Sequence, residues 1–173
     1  MTGVQTCALP ICIQHLQDDV ADGSAQQMPV DVGKHRTCTS LVETSVPDLV
    51  VAFQRLCECV YPQIEGAKPL KRNVFQRLDD GNKLWHDLVG NGYDDWITDV
   101  QYAKLRKCFQ QRHLLQHQDG IVDQDYITKS GDVSYQVGQH LIIKAEDITE
   151  YAEIVETLGK RVLALLEEVK ANE

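Results

Sequence analysis

Ile148, Tyr151, Val155, Leu158, Val162, Leu165 and Val169 follow one another at steps of three and four residues. Only an α-helix gathers that spacing into one stripe, because side chains three and four apart share a face. At its head, Asp147-Ile-Thr-Glu150 has the pattern of a capping box, where a capping oxygen and an acid three residues on satisfy each other's backbone donors. The stripe is narrow, as in bundle packing or a coiled-coil seam. Other helices of the chain, or a partner helix, must therefore cover it.

Three further helices are predicted upstream. Ser45-Val46-Pro47-Asp48 reads as a helix start, with a capping serine, a proline in the first turn and an early acid. Leu49, Phe53, Leu56 and Val60 then form a stripe that ends before Pro62. Cys57 and Cys59, two apart on this helix, point to different sides and read as packing residues rather than ligands. A second helix is predicted over residues 69–89, with Val74, Leu78, Trp85 and Leu88 inward and Gly81 as a weak point. Gly90-Asn91-Gly92 reads as a turn. Trp96, Val100, Leu105, Cys108 and Phe109 mark a long third helix ending at Gly120, a residue suited to the C-terminal cap. Residues 119–145 differ in texture: Ser130-Gly131-Asp132 reads as a tight turn and His140 to Lys144 as a short β-like run, together a hairpin-like flap. The expected fold is all-α, an antiparallel helical bundle with a short β-like excursion between its last two long helices.

At 173 residues the chain has room for one core, and a formal net charge of −9 excludes a generic polyanion binder. Any nucleic-acid site has to be a local patch. No apolar run approaches the roughly 18 residues of a membrane span, so no membrane partner is expected and a cytoplasmic location is. None of the six cysteines forms a Cys-x-x-Cys unit, and no metal centre or other cofactor is expected. Residues 1–11, MTGVQTCALPI, resemble the translation of a sequencing adapter and are set aside as non-native. Residues 12–44 are polar and aperiodic, apart from a weak helical pattern over 13–20, and read as a linker or the edge of a lost upstream region. The helical domain is assigned to residues 45–171.

Chemistry concentrates in one stretch. From Gln101 to His117 the chain carries Lys104, Arg106, Lys107 and Arg112 and no acid, a local reversal of sign that makes Lys104, Arg106 and Lys107 candidate nucleic-acid contacts. Arg112 continues the stripe of Leu105, Cys108 and Phe109, where a permanently charged guanidinium is costly unless it meets a carboxylate or a phosphate. His117 lies in the last helical turn, where the macrodipole favours imidazolium. An arginine to hold a phosphoryl oxygen and a histidine to move a proton suffice to cleave RNA through its own 2'-hydroxyl.

Arg112-His-Leu-Leu-Gln-His117 resembles the R-x4-6-H signature of the HEPN superfamily, small helical domains found in RNA-cleaving toxins, phage-defence proteins and partners of nucleotidyltransferases. The surrounding Phe109 to Asp123 is similar to the nuclease subset, and the likeness runs roughly from Val46 to Leu166. The resemblance implies a metal-independent endoribonuclease that acts as a homodimer on RNA and leaves a 2',3'-cyclic phosphate. It further implies an antitoxin or nucleotidyltransferase as a partner. Arg112 would bind the scissile phosphate and His117 act on the 2'-hydroxyl or the leaving oxygen. His113, in a slot that is often polar in the family, would orient or assist.

Other readings compete at each position. Arg112 pairs with Asp99, Asp119 or Asp123, and His117 is a C-terminal capping side chain. His113 and His117, four apart, hold a metal if a third ligand exists. Lys68, Lys71, Arg72 and Arg77 extend an RNA path or form a solvated helix face, the commoner case. Trp85, Trp96 and Tyr102 stack bases or, as helical spacing favours, fill the core. For the whole chain, one alternative is a non-catalytic helical module whose last helix docks on a partner or on itself. The other is a fragment of a metal-binding regulator with lost cysteines to match Cys12 or Cys38.

Overall fold

The computed structural model describes the backbone of residues 32–171 and the side chains of 41–168. Expectations for residues 1–31, including the adapter-like peptide, Cys7, Cys12 and the weak helix, lie outside the described residues. The chain divides into two units, Met1–His35 and Arg36–Glu173, and the packing below belongs to the second. Among the described residues six helices follow in order: α1 (Val32–Val60), α2 (Leu78–Val89), α3 (Tyr93–Trp96), α4 (Asp99–His117), α5 (Gln124–Ser130) and α6 (Ala145–Ala171). Two 3-10 turns, Tyr61–Gln63 and Val74–Gln76, join α1 to α2. The fold is all-α.

The first helix does not start where its sequence suggests. It runs straight through Pro47, and Ser45, far from capping, donates its hydroxyl back to the Leu41 carbonyl at 2.7 Å. Thr44 donates to the same carbonyl at 3.0 Å. Such back-bonding lets short hydroxyl side chains sit inside a helix. The buried stripe that results is Val46, Val50, Phe53, Cys57 and Val60, with Leu49 and Leu56 at its edge.

The predicted helix over 69–89 is shorter than its pattern. Asn73 sits in the left-handed region at φ 55°, a 3-10 turn follows, and only from Leu78 does the α-helix run. Its centre is Trp85, fully buried, whose ring lies 5.2 Å from Tyr61, 5.8 Å from Phe75 and 5.7 Å from Trp96. The indole N–H donates to the Tyr93 hydroxyl at 3.0 Å, and Cys57 Sγ lies 3.4 Å from that same oxygen. Gly81 is therefore a packing glycine rather than a weak point. A Cβ there would stand 3.0 Å from Phe75 Cδ1 and 3.1 Å from the Tyr93 hydroxyl.

The fourth helix starts at a cap the sequence reading passed over. Thr98 Oγ1 accepts the Gln101 N–H at 3.3 Å while Gln101 Oε1 accepts the Thr98 N–H at 3.0 Å, a capping box that separates α3 from α4. Val100, predicted inward, is consequently 66% exposed. The far end closes earlier than expected: the helix stops at His117 with Gln118 as its C-cap, Asp119 takes the left-handed position after it at φ 49°, and Gly120, at φ 72°, donates its N–H to the Leu114 carbonyl at 3.1 Å, which satisfies an orphan carbonyl.

The excursion between α4 and α6 is a clip more than a flap. It contains a helix, α5, and no strand among the described residues, only the isolated bridge between Ile121 and His140. Asp132 is its hub. Its carboxylate, with a side chain only 7% exposed, pairs with Lys107 of α4 at 3.0 Å, accepts the Tyr126 hydroxyl at 2.8 Å and is bonded by Ser134. Burial would raise its pKa, but the bonds from Ser134, Lys107 and Tyr126 outweigh burial and hold it well below the usual carboxylate range.

Helix α6 buries Tyr151, Ile154, Leu158, Val162 and Leu165, close to the predicted stripe with Ile154 added. Its cap lies earlier than read: the Asp147 carboxylate accepts the Lys144 N–H at 3.2 Å, and Glu150 instead pairs with Lys104 at 2.7 Å.

Two stability measurements check this packing. Gly81→Ala gains helix propensity of about 1 kcal/mol, yet overpacking against buried Phe75 and Tyr93 costs about 1 to 3 kcal/mol. Urea unfolding should show a net loss; a net gain would mean that the aromatic cluster yields. Asp132→Asn breaks a largely buried ion pair and should lower stability by about 2 to 3 kcal/mol near neutral pH. Because the folded carboxyl titrates below its unfolded value, this contribution is present above roughly pH 4 and lost as pH falls through the folded pKa. The wild-type and variant melting curves should therefore converge in acid.

Candidate functional site

Arg112 emerges from the buried face of α4 into a cleft of about 620 Å³. Phe109, Arg112 and His113 of α4 form one wall, the start of α2 with Arg77, Asp79 and Asp80 faces them, and Lys129 of α5 stands beside them. Arg112 is only 8% exposed. None of Asp99, Asp119 and Asp123 comes within ion-pair distance of it, so the internal pairs considered for it do not form. Its Nε is buried without a hydrogen-bond partner among the described residues, and burial lowers its pKa from the usual arginine value. A guanidinium held this way lacks an anion.

His113 lines the same cleft. One turn on, His117 lies outside the cleft wall but touches His113, ring centroids 5.0 Å apart with planes at 51°. The spacing of four on one helix makes that contact. Burial, then the fields of His117 and Arg112, hold the His113 imidazole below its ordinary value of 6.5. The lowered pKa favours the neutral, proton-accepting form of His113, the form a general base needs. The two histidines gain no third ligand to make a metal site; among the described residues the one cluster with ligand spacing is elsewhere.

The three other cations of the stretch are each engaged. Lys104 pairs with Glu150 at 2.7 Å and Lys107 with Asp132 at 3.0 Å. Arg106 lies 3.9 Å from Asp79 and 5.2 Å over the Tyr102 ring. Of these, only Arg106 lines the cleft. In the second basic run, Lys68 pairs with Asp87 at 3.3 Å and Arg77 with Asp80, so those two act within the surface charge pattern. Trp85 is core; Trp96 and Tyr102 are half-buried against it. The sequence reading missed Lys129 and Asp80 as cleft residues. The pair of Asp125 and Lys129 at a spacing of four, 2.8 Å apart, was a signal for the helix that carries Lys129.

The chain matches no protein-family model, no curated protein and no solved structure. No described helix is long and apolar enough to cross a membrane.

The His113 environment predicts a titration result. Because its folded pKa lies below 6.5, the unfolded chain binds the proton more readily, so His113 costs no stability above that pH and an increasing amount as pH falls below it. The NMR titration of His113 should give a midpoint below 6.5, and His117→Asn should move it upward. A midpoint unchanged by that substitution would show that the two rings are not electrically coupled.

Proposed function

We propose that this chain is a HEPN-like, metal-independent endoribonuclease of the toxin or phage-defence type, cleaving RNA by attack of the 2'-hydroxyl on the adjacent phosphate. One observation carries the reading: the guanidinium of Arg112 stands at a cleft wall with a buried, unpaired Nε and no carboxylate within ion-pair distance, beside a histidine whose pKa is lowered. A phosphate oxygen is the anion that fits a planar, permanently charged donor group. In this scheme Arg112 binds the scissile phosphate and stabilises charge gathering on it. His117 and His113 share the proton traffic, one accepting from the 2'-hydroxyl and the other donating to the leaving oxygen. The chain acts as a homodimer, in which two R-x4-H motifs face a common cleft, with an antitoxin or nucleotidyltransferase as partner. It works in the cytoplasm, where its RNA is.

A second reading, a non-catalytic interaction module, draws on the pairing of Lys104, Arg106 and Lys107 with carboxylates, which reduces the free positive charge available to RNA. Incubation of the purified chain with RNA in EDTA separates the two. Arg112→Ala and His117→Ala should each slow cleavage by at least about 100-fold, with helicity unchanged by circular dichroism. Product ends should be 2',3'-cyclic phosphates. Absence of cleavage by the parent chain, or parental rates in both variants, would favour the interaction module.

A further inference from the structure

At the junction of α2 and α3, away from the cleft, three side chains of ligand type converge. His86 Nε2, on the last turn of α2, lies 2.7 Å from Asp94 Oδ1 and 3.6 Å from Asp95 Oδ2, both on the first turn of α3. All three donor atoms lie within 4.8 Å of one another. A third oxygen, Asn82 Oδ1, accepts the Asp94 N–H at 3.4 Å, and Asp95 Oδ2 accepts the Gly92 N–H at 2.9 Å.

From this arrangement we infer that His86, Asp94 and Asp95 bind one first-row transition-metal dication of the zinc or cobalt class. Ligands about 2.0 to 2.2 Å from such an ion stand roughly 3.4 Å apart in a tetrahedron, so small side-chain movements bring these three to ligand positions. Charge argues the same way. A single proton on Nε2 can serve one carboxylate, and Asp94 already takes it at 2.7 Å. The second carboxylate stands 3.6 Å from the same nitrogen, and a dication between the three groups would answer both carboxylates. An exposed histidine and aspartate pair contributes little to stability by itself, and Asp95 is brought to the same place by capping the Gly92 N–H.

Gly92 adds a steric observation independent of those bonds. A Cβ at this position would lie 2.3 Å from Asn82 Oδ1 and 2.5 and 2.6 Å from two atoms of the His86 ring. Only glycine lets the imidazole and the amide oxygen reach into the turn beside the carboxylates. The donor set is one imidazole with oxygens and no thiolate, which selects a borderline transition metal over magnesium or calcium. The half-exposed setting leaves room for water to complete the coordination. Bound there, the ion would tie the end of α2 to the start of α3 and stabilise the fold by mass action. The site shares no residue with the cleft lining, so it stands or falls independently of the ribonuclease reading.

Cobalt(II) titration of the untagged, metal-free chain, followed by visible absorption and thermal melting, tests the site. One equivalent should bind with ligand-field bands, no thiolate-to-metal charge-transfer band and a rise in Tm. His86→Ala and Asp94→Asn should each weaken binding at least tenfold, whereas the double variant His113→Ala/His117→Ala should bind like the parent. The inference is overturned by no uptake at millimolar cobalt, by a spectrum dominated by thiolate charge transfer, or by parental binding in both His86→Ala and Asp94→Asn.

Discussion

The hydrogen bond from the Trp85 indole to the Tyr93 hydroxyl, set inside a ring of aromatic contacts, is the interaction on which the rest of the molecule hangs. Trp85 belongs to α2, Tyr93 to α3, Tyr61 and Phe75 to the two 3-10 turns, and Cys57 and Phe53 to α1. Trp85 meets Tyr61 and Phe75, and Phe53 lies 5.4 Å from the Tyr93 ring. The polar atoms of three residues are satisfied by one another at a point no water reaches: the indole N–H, the phenol and the Cys57 thiol, whose pKa burial pushes up to about 12. Buried polar groups are costly unless paired, so this small network admits one arrangement of its helices where an all-apolar cluster would admit several. Gly81 completes it by letting α2 sit close against Phe75 and Tyr93.

That arrangement decides where α4 begins, and hence where Arg112 ends up. With Tyr93 anchored and Thr98 capping, the register of α4 places Leu105, Cys108, Phe109 and Leu114 in the core. Arg112 shares that face, so it is buried by geometry rather than by any affinity of its own for the interior. The far end is held by the Asp132 clip, which fastens Lys107 and, through Tyr126, helix α5 with Lys129. Two independent anchors thus fix the cleft walls. With its Nε buried and unpaired, the guanidinium has lost part of its solvation, and an anion in the cleft would offset that cost.

Much of this was legible in the sequence where a periodic pattern was also the buried pattern. Leu158, Val162 and Leu165 were readable because α6 has one narrow apolar face. The failures have physical causes. Ser45 and Pro47 mimic a helix start, but the hydroxyls of Thr44 and Ser45 back-bond to Leu41 and the helix continues through the proline. Val100 fits an apolar stripe only if Trp96 lies on the same helix, which the Thr98 cap forbids. For the candidate site, the sequence revealed Arg112 on the emerging edge of a buried face and His113 and His117 one turn apart. Seven residues are too few for α5 to show a helical period against the loop around it, so the spacing of Asp125 and Lys129 was its one signal, and nothing in sequence tied Lys129 to the cleft.

The sign reversal along α4 also changes meaning once its partners are known. Lys104, Arg106 and Lys107 looked like one basic surface because no acid lies among them in sequence. In space they diverge toward α6, α2 and the Asp132 clip, and each meets a carboxylate from a different element. Absence of acids within a helix therefore indicates here that the helix is a hub for ion pairs with its neighbours, not that its charge is free. Surface pairs of this kind are weak and yield to a competing phosphate, but Lys107 is bound to a largely buried aspartate and does not. Of the four cations on α4, Arg112 is the one without a carboxylate within ion-pair distance among the described residues, and its buried Nε sets it apart from an exposed cation, which is simply solvated.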